Sequence, residues 1–223
     1  MNLELVSHSI QTTHFPGGGV VGAVRRSRKR LEIAERNHVL ISGRGLNFPE
    51  VGWGRDFEIR LLLTLDDRAA LRKFMRMLPK RFDGMRDFWG DYIWLIHEAF
   101  CESFDVRYSS LRFSQISHDQ CTLFHSDNVL VRLFQTIRGL GTEYLLEDNL
   151  NRNGIGGGCN SKIDVKSNGI QRAKEKDILL MRGDKWVNKK GLVHRSPRIE
   201  ELGLKRLYFC LDAVEDPTAK PYY

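Results

Sequence analysis

Two stretches in the first half of the chain repeat apolar residues at the three-four spacing of an amphipathic helix. The first is predicted to begin after Asp66 or Asp67, either of which can cap it, and to end at Leu78, before Pro79. The second is predicted over residues 84–104. Their apolar faces consist of Leu71, Phe74, Met75 and Leu78 in the first helix, and Met85, Phe88, Trp89, Tyr92, Ile96 and Phe100 in the second.

From about Val106 onward the pattern changes to short runs of β-branched, aromatic and leucine residues separated by turn residues, which is typical of strands. Strands are predicted over residues 107–113, 121–124, 129–137, 143–146, 177–181, 191–194 and 205–211. Seven or eight short strands without helices between them favour a barrel or a sandwich. We therefore expect an α+β protein with a mainly β core and N-terminal helices packed on it.

Two regions lack such periodic patterns. Residues 1–60 hold a glycine-rich turn at residues 17–19 and a loop at residues 43–54, but they do not show which elements they form. Residues 149–168 are rich in asparagine and glycine and are predicted to form a mobile loop. Long loops on a β scaffold are often lids over a site.

Composition places the chain among ordinary soluble proteins, with 223 residues, of which 41% are hydrophobic and 28% charged. A chain of this size can bury a core without disulfides or a structural metal, so a metal site need not serve folding, which favours a chemical role for one. The four cysteines form no C-x-x-C pair, which argues against a zinc finger, and Cys121 and Cys210 are predicted to be buried thiols. Because neither a signal peptide nor a membrane-spanning run is evident, we expect a cytoplasmic protein without a membrane partner.

The net charge of +7 is partly local, because five basic residues cluster at Arg25, Arg26, Arg28, Lys29 and Arg30. Such a cluster is either a patch for nucleic acid or another anionic partner, or a solvated and partly helical segment. We favour the second interpretation, since no aromatic residues interleave with the cluster as single-strand binding would require.

The first candidate for chemistry is an H-x-D motif. Residues two apart on a strand face the same side, so His125 and Asp127 can offer an imidazole nitrogen and a carboxylate oxygen to one ion. Further along the chain, His194 follows a short apolar run and precedes a turn, as a third ligand from another strand would. Two histidines and one carboxylate suit non-haem iron(II) and leave coordination positions open for a co-substrate and dioxygen.

A second candidate is Arg206, twelve residues after His194. It alternates with apolar neighbours in a predicted strand and shares one face with Tyr208. An arginine held on a buried strand can clamp a carboxylate through two hydrogen bonds, whereas an arginine at a strand end in water has no such role.

These features, in this order, resemble the iron(II)/2-oxoglutarate-dependent dioxygenase superfamily over about residues 105–212. More narrowly, the segments FHSDNV, GLGTEYL and HRSP resemble an uncharacterised bacterial family catalogued as a domain of unknown function. The superfamily resemblance implies a double-stranded β-helix, or jelly-roll. The chain would then be one domain of residues 1–223, with an N-terminal helical and substrate-side region (1–105), the jelly-roll core (106–213) and a tail (214–223).

The resemblance also implies roles for individual residues. His125, Asp127 and His194 would bind Fe(2+), and Arg206 would bind the distal carboxylate of the co-substrate 2-oxoglutarate. Tyr208 stands where a serine or threonine is common, so the pocket for the co-substrate differs there.

The implied reaction is an oxidation, most commonly hydroxylation, of a small-molecule or amino-acid/peptide substrate with release of succinate and CO2. Arg132 and Arg195 are candidates for binding an anionic substrate, or else pair structurally with acids such as Glu143 or Asp148. Three alternatives stay open at this point: a cupin-like metal-binding protein without oxygenase activity, a nucleic-acid repair oxygenase, and a protein that binds partners through its basic segment and has a degenerate site.

Overall fold

Four α-helices are present in the computed structural model, which describes residues 18–33, 37–163, 169–186 and 190–218. They are α1 (Gly18–Arg25), α2 (Ser27–Ile33), α3 (Arg68–Met75) and α4 (Arg86–Phe104). Both predicted helices are confirmed. The carboxylate of Asp67 caps α3 by accepting a hydrogen bond of 2.8 Å from the backbone N–H of Ala70. Helix α3 ends at Met75 rather than Leu78, because the next residues form turns.

Helices α1 and α2 were not predicted. Gly18 and Gly19, which we expected in a turn, begin α1 instead. Three buried valines, Val20, Val21 and Val24, hold α1 against α4. This contact with a long buried helix stabilises a segment whose first two residues have poor helix propensity.

Nine strands form two antiparallel sheets among the described residues. The strands are β1 (His38–Ile41), β2 (Phe57–Thr64), β3 (Tyr108–Ile116), β4 (Val131–Arg138), β5 (Glu143–Leu145), β6 (Ile170–Arg172), β7 (Ile178–Arg182), β8 (His194–Arg195) and β9 (Arg206–Val214). The large sheet has the order β1-β7-β4-β9-β3-β2, and the small sheet has the order β6-β5-β8. The α+β architecture with a mostly antiparallel β core is confirmed.

The two faces of the large sheet have different roles. Alternate residues such as Phe113 and Phe209 are buried on the face that packs against α4, within the main hydrophobic core. The opposite face carries Tyr208 and Cys210, which belong to a smaller buried cluster shared with Tyr144 of the small sheet. The two sheets therefore enclose this second cluster, and the candidate site lies at its edge.

Three predictions need correction. Residues 121–124 are irregular rather than a strand, and Cys121 is exposed because only Phe124 of this segment turns into the core. Cys210, in contrast, is buried as predicted. Of the strand predicted over residues 191–194, only His194 lies in a strand, the two-residue β8 (His194–Arg195).

The predicted loop of residues 149–168 contains local structure. Three short 3₁₀ turns occupy Glu147–Asn149, Arg152–Gly154 and Asn160–Lys162, while residues 164–168 lie outside the described part. Ile163 is buried in a small cluster with Phe124, because the asparagine- and glycine-rich segment still contains apolar anchors. Within the described ranges, no helix combines the length and apolar character needed to cross a bilayer.

The basic cluster lies at the junction of α1 and α2, so the prediction of a partly helical segment there is confirmed. Arg25 pairs with Glu102 at 2.6 Å, and Arg28 pairs with Glu32 one turn away at 2.9 Å. Acidic neighbours thus offset part of its charge.

Candidate metal centre

His125 and His194 lie side by side because their backbones are paired. The N–H of His125 donates to the carbonyl of His194 at 3.0 Å, and the N–H of His194 donates to the carbonyl of His125 at 2.9 Å. The two imidazole rings are 4.7 Å apart between centroids. One irregular segment and one very short strand, 69 positions apart in sequence, therefore present their histidines as a fixed pair.

Both imidazole rings are oriented by the same local contact. The Nδ1 of His125 lies 2.8 Å from the carbonyl oxygen of Leu123, and the Nδ1 of His194 lies 3.0 Å from that of Leu192. Because a carbonyl oxygen can only accept, each Nδ1 carries the proton and donates it. Nε2 of each ring then faces Asp127 and can bind a metal when it carries no proton. A backbone carbonyl as partner of the other nitrogen is typical of metal-binding histidines.

Asp127 completes the group. Its two carboxylate oxygens lie 3.7 Å from Nε2 of His125 and 3.2 Å from Nε2 of His194. One ligand atom from each of these three residues lies within 4.8 Å of the other two. The structure thus brings together the three residues that the sequence predicts as ligands, and their donor set of two imidazoles and one carboxylate fits iron(II).

Asp127 is held from two sides. The guanidinium of Arg132 donates to its carboxylate at 2.6 Å and also donates twice to Asp212, at 2.5 and 2.8 Å. The backbone carbonyl of Asp127 accepts a hydrogen bond of 2.8 Å from the N–H of Asp184. The preceding Gly183 has no room for a side chain, since a Cβ there would lie 2.8 Å from the Asp127 carbonyl oxygen and closer still to a second carbonyl.

The electrostatics of the group favour ligand-competent forms. Burial alone would raise the pKa of Asp127, but the charges of His194 and Arg132 and the hydrogen bond to His194 outweigh burial and lower it. Burial, reinforced by the charge of His194, lowers the pKa of His125. At neutral pH, Asp127 is therefore a carboxylate and His125 is neutral, as metal binding requires.

Arg206 is almost completely buried, with 1% of its surface exposed. Its guanidinium donates to the hydroxyl oxygens of Thr136 at 2.9 Å and Thr142 at 2.7 Å, and it lies over the rings of Phe134 and Tyr208. No carboxylate of the described residues lies within ion-pair distance of it, and burial lowers its pKa to about 10. A buried guanidinium without an anionic partner is a strong binding group for an anion.

A cavity of about 390 Å³ opens beside these groups. His125 and His194 line it, as do Thr142 and Phe134, which contact Arg206. The other lining residues are Glu58, Arg60, Arg112, Gln120, Cys121, Arg132, Arg195 and Ser196. The two histidines of the candidate metal centre and the residues around Arg206 therefore face the same partly open cavity.

Tyr208 has a different contact from the one we expected. Its hydroxyl donates to the side-chain oxygen of Gln120 at 3.0 Å, and its ring stacks on Phe134 with centroids 4.8 Å apart. The ring of Tyr208 thus packs against the guanidinium of Arg206. Its predicted hydrogen bond to the co-substrate stays a prediction.

Arg132 and Arg195 both line the cavity, and both have acidic partners. Arg132 pairs with Asp127 and Asp212, and Arg195 donates to Glu143 at 2.7 Å. The structural pairing of Arg195 with Glu143 was one of the two alternatives that the sequence left open. Binding of substrate by either arginine stays a prediction.

Several supporting residues were not predicted. Thr136 and Thr142 orient Arg206, and Asp212 holds Arg132 in contact with Asp127. A signal existed for Thr142, which belongs to the distinctive segment GLGTEYL, but the roles of Thr136 and Asp212 depend on the pairing of β4 with β9.

A family model described as "Protein of unknown function (DUF1826)" matches residues 56–212, which is more than two thirds of the chain. The chain belongs to this family. The match confirms the narrower resemblance of the sequence and spans β2 through most of β9, including the candidate metal ligands and Arg206. No curated protein matches this DUF1826 member.

Solved structures similar to this DUF1826 member include the Fe(II)/(alpha)ketoglutarate-dependent dioxygenase TqaL, with 10% identity and a TM-score of 0.49 over 87% of each chain. A prolyl-4-hydroxylase of Pseudomonas putida has 10% identity and a TM-score of 0.43 over 86% of this chain and 94% of that one. Since both TM-scores are below 0.5, the assignment of chemistry rests on the chain's own residues.

Proposed function

We propose that this DUF1826 protein is a non-haem iron(II)- and 2-oxoglutarate-dependent oxygenase. It would oxidise, most commonly by hydroxylation, a small-molecule or amino-acid/peptide substrate and release succinate and CO2. The two antiparallel sheets that flank the site support a double-stranded β-helix within one domain of residues 1–223. The observation that carries the proposal is that one cavity is lined both by two members of the His-Asp-His group, His125 and His194, and by Thr142 and Phe134, which contact an arginine without an anionic partner.

Each part of this arrangement has a defined role in the proposal. His125, Asp127 and His194 hold iron(II), and three protein ligands leave coordination positions for the co-substrate and dioxygen. When bound, iron(II) supplies the activation of dioxygen that oxidises the substrate as 2-oxoglutarate is converted to succinate and CO2. Arg132 keeps Asp127 in place through a contact that leaves one carboxylate oxygen for the metal.

Arg206 binds the distal carboxylate of 2-oxoglutarate. Its hydrogen bonds to Thr136 and Thr142 fix the plane of the guanidinium before the co-substrate arrives. The rings of Phe134 and Tyr208 cover the guanidinium and exclude water, which strengthens an ion pair formed in this space.

The direct test is anaerobic reconstitution with iron(II) and 2-oxoglutarate. Chelation by the co-substrate produces a metal-to-ligand charge-transfer band, which we expect in the wild type and in Arg72→Gln, an exposed control on α3. We expect no band in His194→Ala, because the iron is lost, and a much weaker affinity for 2-oxoglutarate in Arg206→Gln. A wild type that shows no band would disprove the proposed metal or the proposed co-substrate.

The same experiment separates the alternatives. A cupin-like protein without oxygenase activity would retain iron but show no dependence on Arg206. A nucleic-acid repair oxygenase would bind DNA or RNA with an affinity that falls steeply as salt increases. Retention of iron by the wild type but not by His125→Ala would count against a degenerate site.

A further inference from the structure

Charged side chains on strands β2 and β3 of the large sheet line the same cavity as the candidate metal ligands His125 and His194. On β2 and β3, Arg60 pairs in register with Arg112, and Arg112 pairs with Cys210 of β9. Because registered residues on neighbouring strands point to the same face, Arg60 and Arg112 lie on the face of Tyr208 and Cys210. That face borders the cavity, and both arginines line it.

The charges of this cavity wall are paired, with one exception. Arg132 and Arg195 have acidic partners, and Arg60 lies 2.7 Å from Glu58. Arg112 has no carboxylate within ion-pair distance among the described residues. The charge of Arg112 contributes to lowering the pKa of Glu58, but the two oxygens of Glu58 contact Arg60 and the hydroxyl of Ser114, and the side-chain hydrogen bond of Arg112 is to Cys210.

The guanidinium of Arg112 is placed for a different ligand from that of Arg206. Both groups contact the ring of Tyr208, at 5.5 Å from its centroid for Arg112 and at 5.3 Å for Arg206. Arg206 is buried and bonded to threonine hydroxyls, whereas Arg112 is only partly buried and lines the cavity itself. The two cations therefore contact one phenol ring, Arg206 from a buried position and Arg112 from the wall of the cavity.

We propose that Arg112 binds an oxyanion of the substrate, a carboxylate or a phosphate monoester. This inference rests on the proposed function, in which Arg206 is taken by 2-oxoglutarate. The planar guanidinium of Arg112 can donate two parallel hydrogen bonds to either group. The substrate of this enzyme is then an acid whose anionic end lies against β2 and β3 while another part of it reaches the metal.

Binding measurements on protein loaded with manganese(II) and 2-oxoglutarate test this assignment, because the co-substrate then occupies Arg206. The probes are small carboxylic acids matched with their primary amides, phosphate monoesters matched with their parent alcohols, and inorganic phosphate. We expect acids, phosphate esters or both to bind the wild type, while the neutral partners bind at least tenfold more weakly. The two arms distinguish carboxylate from phosphate recognition.

The variants are Arg112→Gln, Arg112→Lys and the exposed control Arg72→Gln. We expect Arg112→Gln to bind the anionic probes at least tenfold more weakly, Arg112→Lys to retain part of the affinity, and Arg72→Gln to match the wild type. If Arg112→Gln does not fold, Arg112→Lys tests the same proposal. Lysine cannot donate the two parallel hydrogen bonds of a guanidinium, so its affinity for the anionic probes should be severalfold weaker. Melting temperatures identify a folding defect.

The proposal is overturned if the wild type binds no anionic probe, if the neutral partners bind equally well, or if the Arg112 variants bind as the wild type does. The charge-transfer band separates this failure from failure of the proposed function. We expect Arg112→Gln to retain the band, and its loss would place Arg112 in the co-substrate site and overturn the proposal. If the wild type lacks the band but binds anions through Arg112, the proposed function fails while the anion site stands.

Discussion

The buried cation Arg206 should bind the co-substrate but lower the free energy of unfolding of the ligand-free protein. The variant Arg206→Met tests both effects. Burial lowers the pKa of Arg206 to about 10, which corresponds to roughly 3 kcal/mol of unfavourable free energy for a charged side chain at this position. Because the pKa of the folded state is lowered yet stays far above 7, the group is protonated in both states at neutral pH and the whole cost is present. Methionine removes that cost but also the hydrogen bonds to Thr136 and Thr142, worth about 1 kcal/mol each.

We therefore expect the free energy of unfolding of Arg206→Met, measured by urea denaturation without ligand, to lie within about 1 kcal/mol of the wild-type value or above it. Arg132→Met is the matched control. It removes an arginine that is also largely buried, with 15% of its side chain exposed, but that has acidic partners. It should lose roughly 3–5 kcal/mol, because Asp127 and Asp212 are left without a counter-charge.

Ligand binding gives the second half of the test. In the metal-loaded wild type, 2-oxoglutarate at a hundred times its Kd should add about 2.7 kcal/mol of stability, and it should add almost none in Arg206→Met. The reasoning is refuted if Arg206→Met loses as much stability as Arg132→Met, or if 2-oxoglutarate stabilises it as it does the wild type.

Three other predictions concern the support of the site and the core. Gly183→Ala should weaken binding of cobalt(II), measured by calorimetry, at least tenfold, because its Cβ would collide with backbone oxygens at 1.9 and 2.8 Å, whereas Gly52→Ala, with open space around its Cβ, should not. Asp212→Asn should weaken cobalt(II) binding about tenfold by loosening the arginine that holds the carboxylate ligand, and unchanged affinity would show that this contact is dispensable. Burial lowers the pKa of His97 to about 4, below its ordinary value of 6.5, so the unfolded state binds the extra proton first and stability should fall by roughly 2–3 kcal/mol as pH drops from 7 to 4.5. His97→Gln should flatten this decline in denaturation experiments, the exposed His118→Gln should leave it unchanged, and equal declines in both variants would contradict the assignment.

The sequence predicted secondary structure best where apolar residues recur at one regular spacing or where strand-forming residue types follow one another. Helices α3 and α4 were predicted because their apolar residues recur at three-four spacing, and β3, β4, β7 and β9 because their residues are β-branched, aromatic or leucine. Helix α1 was missed because it begins with glycines and depends on packing against α4. Strand β2 was missed although it begins with an alternation of apolar and charged residues, in which Phe57, Ile59 and Leu61 are separated by Glu58 and Arg60.

The candidate site was predicted in outline, because the spacing of His125 and Asp127 and the position of His194 already suggest a common ion. The roles of the residues that support it were not predictable. The role of an arginine such as Arg112 cannot be read from the sequence, because it depends on whether the nearby acidic residues form ion pairs with other arginines on neighbouring strands. Only the strand register reveals that.

The backbone pairing of His125 with His194 has a consequence for discrimination between metals. Because each histidine is hydrogen-bonded to the other through its main chain, neither can shift alone to suit a larger or smaller ion. At the proposed metal site, adjustment to ionic radius would then depend on Asp127, whose carboxylate is held by Arg132. In the proposed iron(II) site, the contact between Arg132 and that carboxylate would therefore determine how strictly iron(II) is distinguished from other divalent ions of different size.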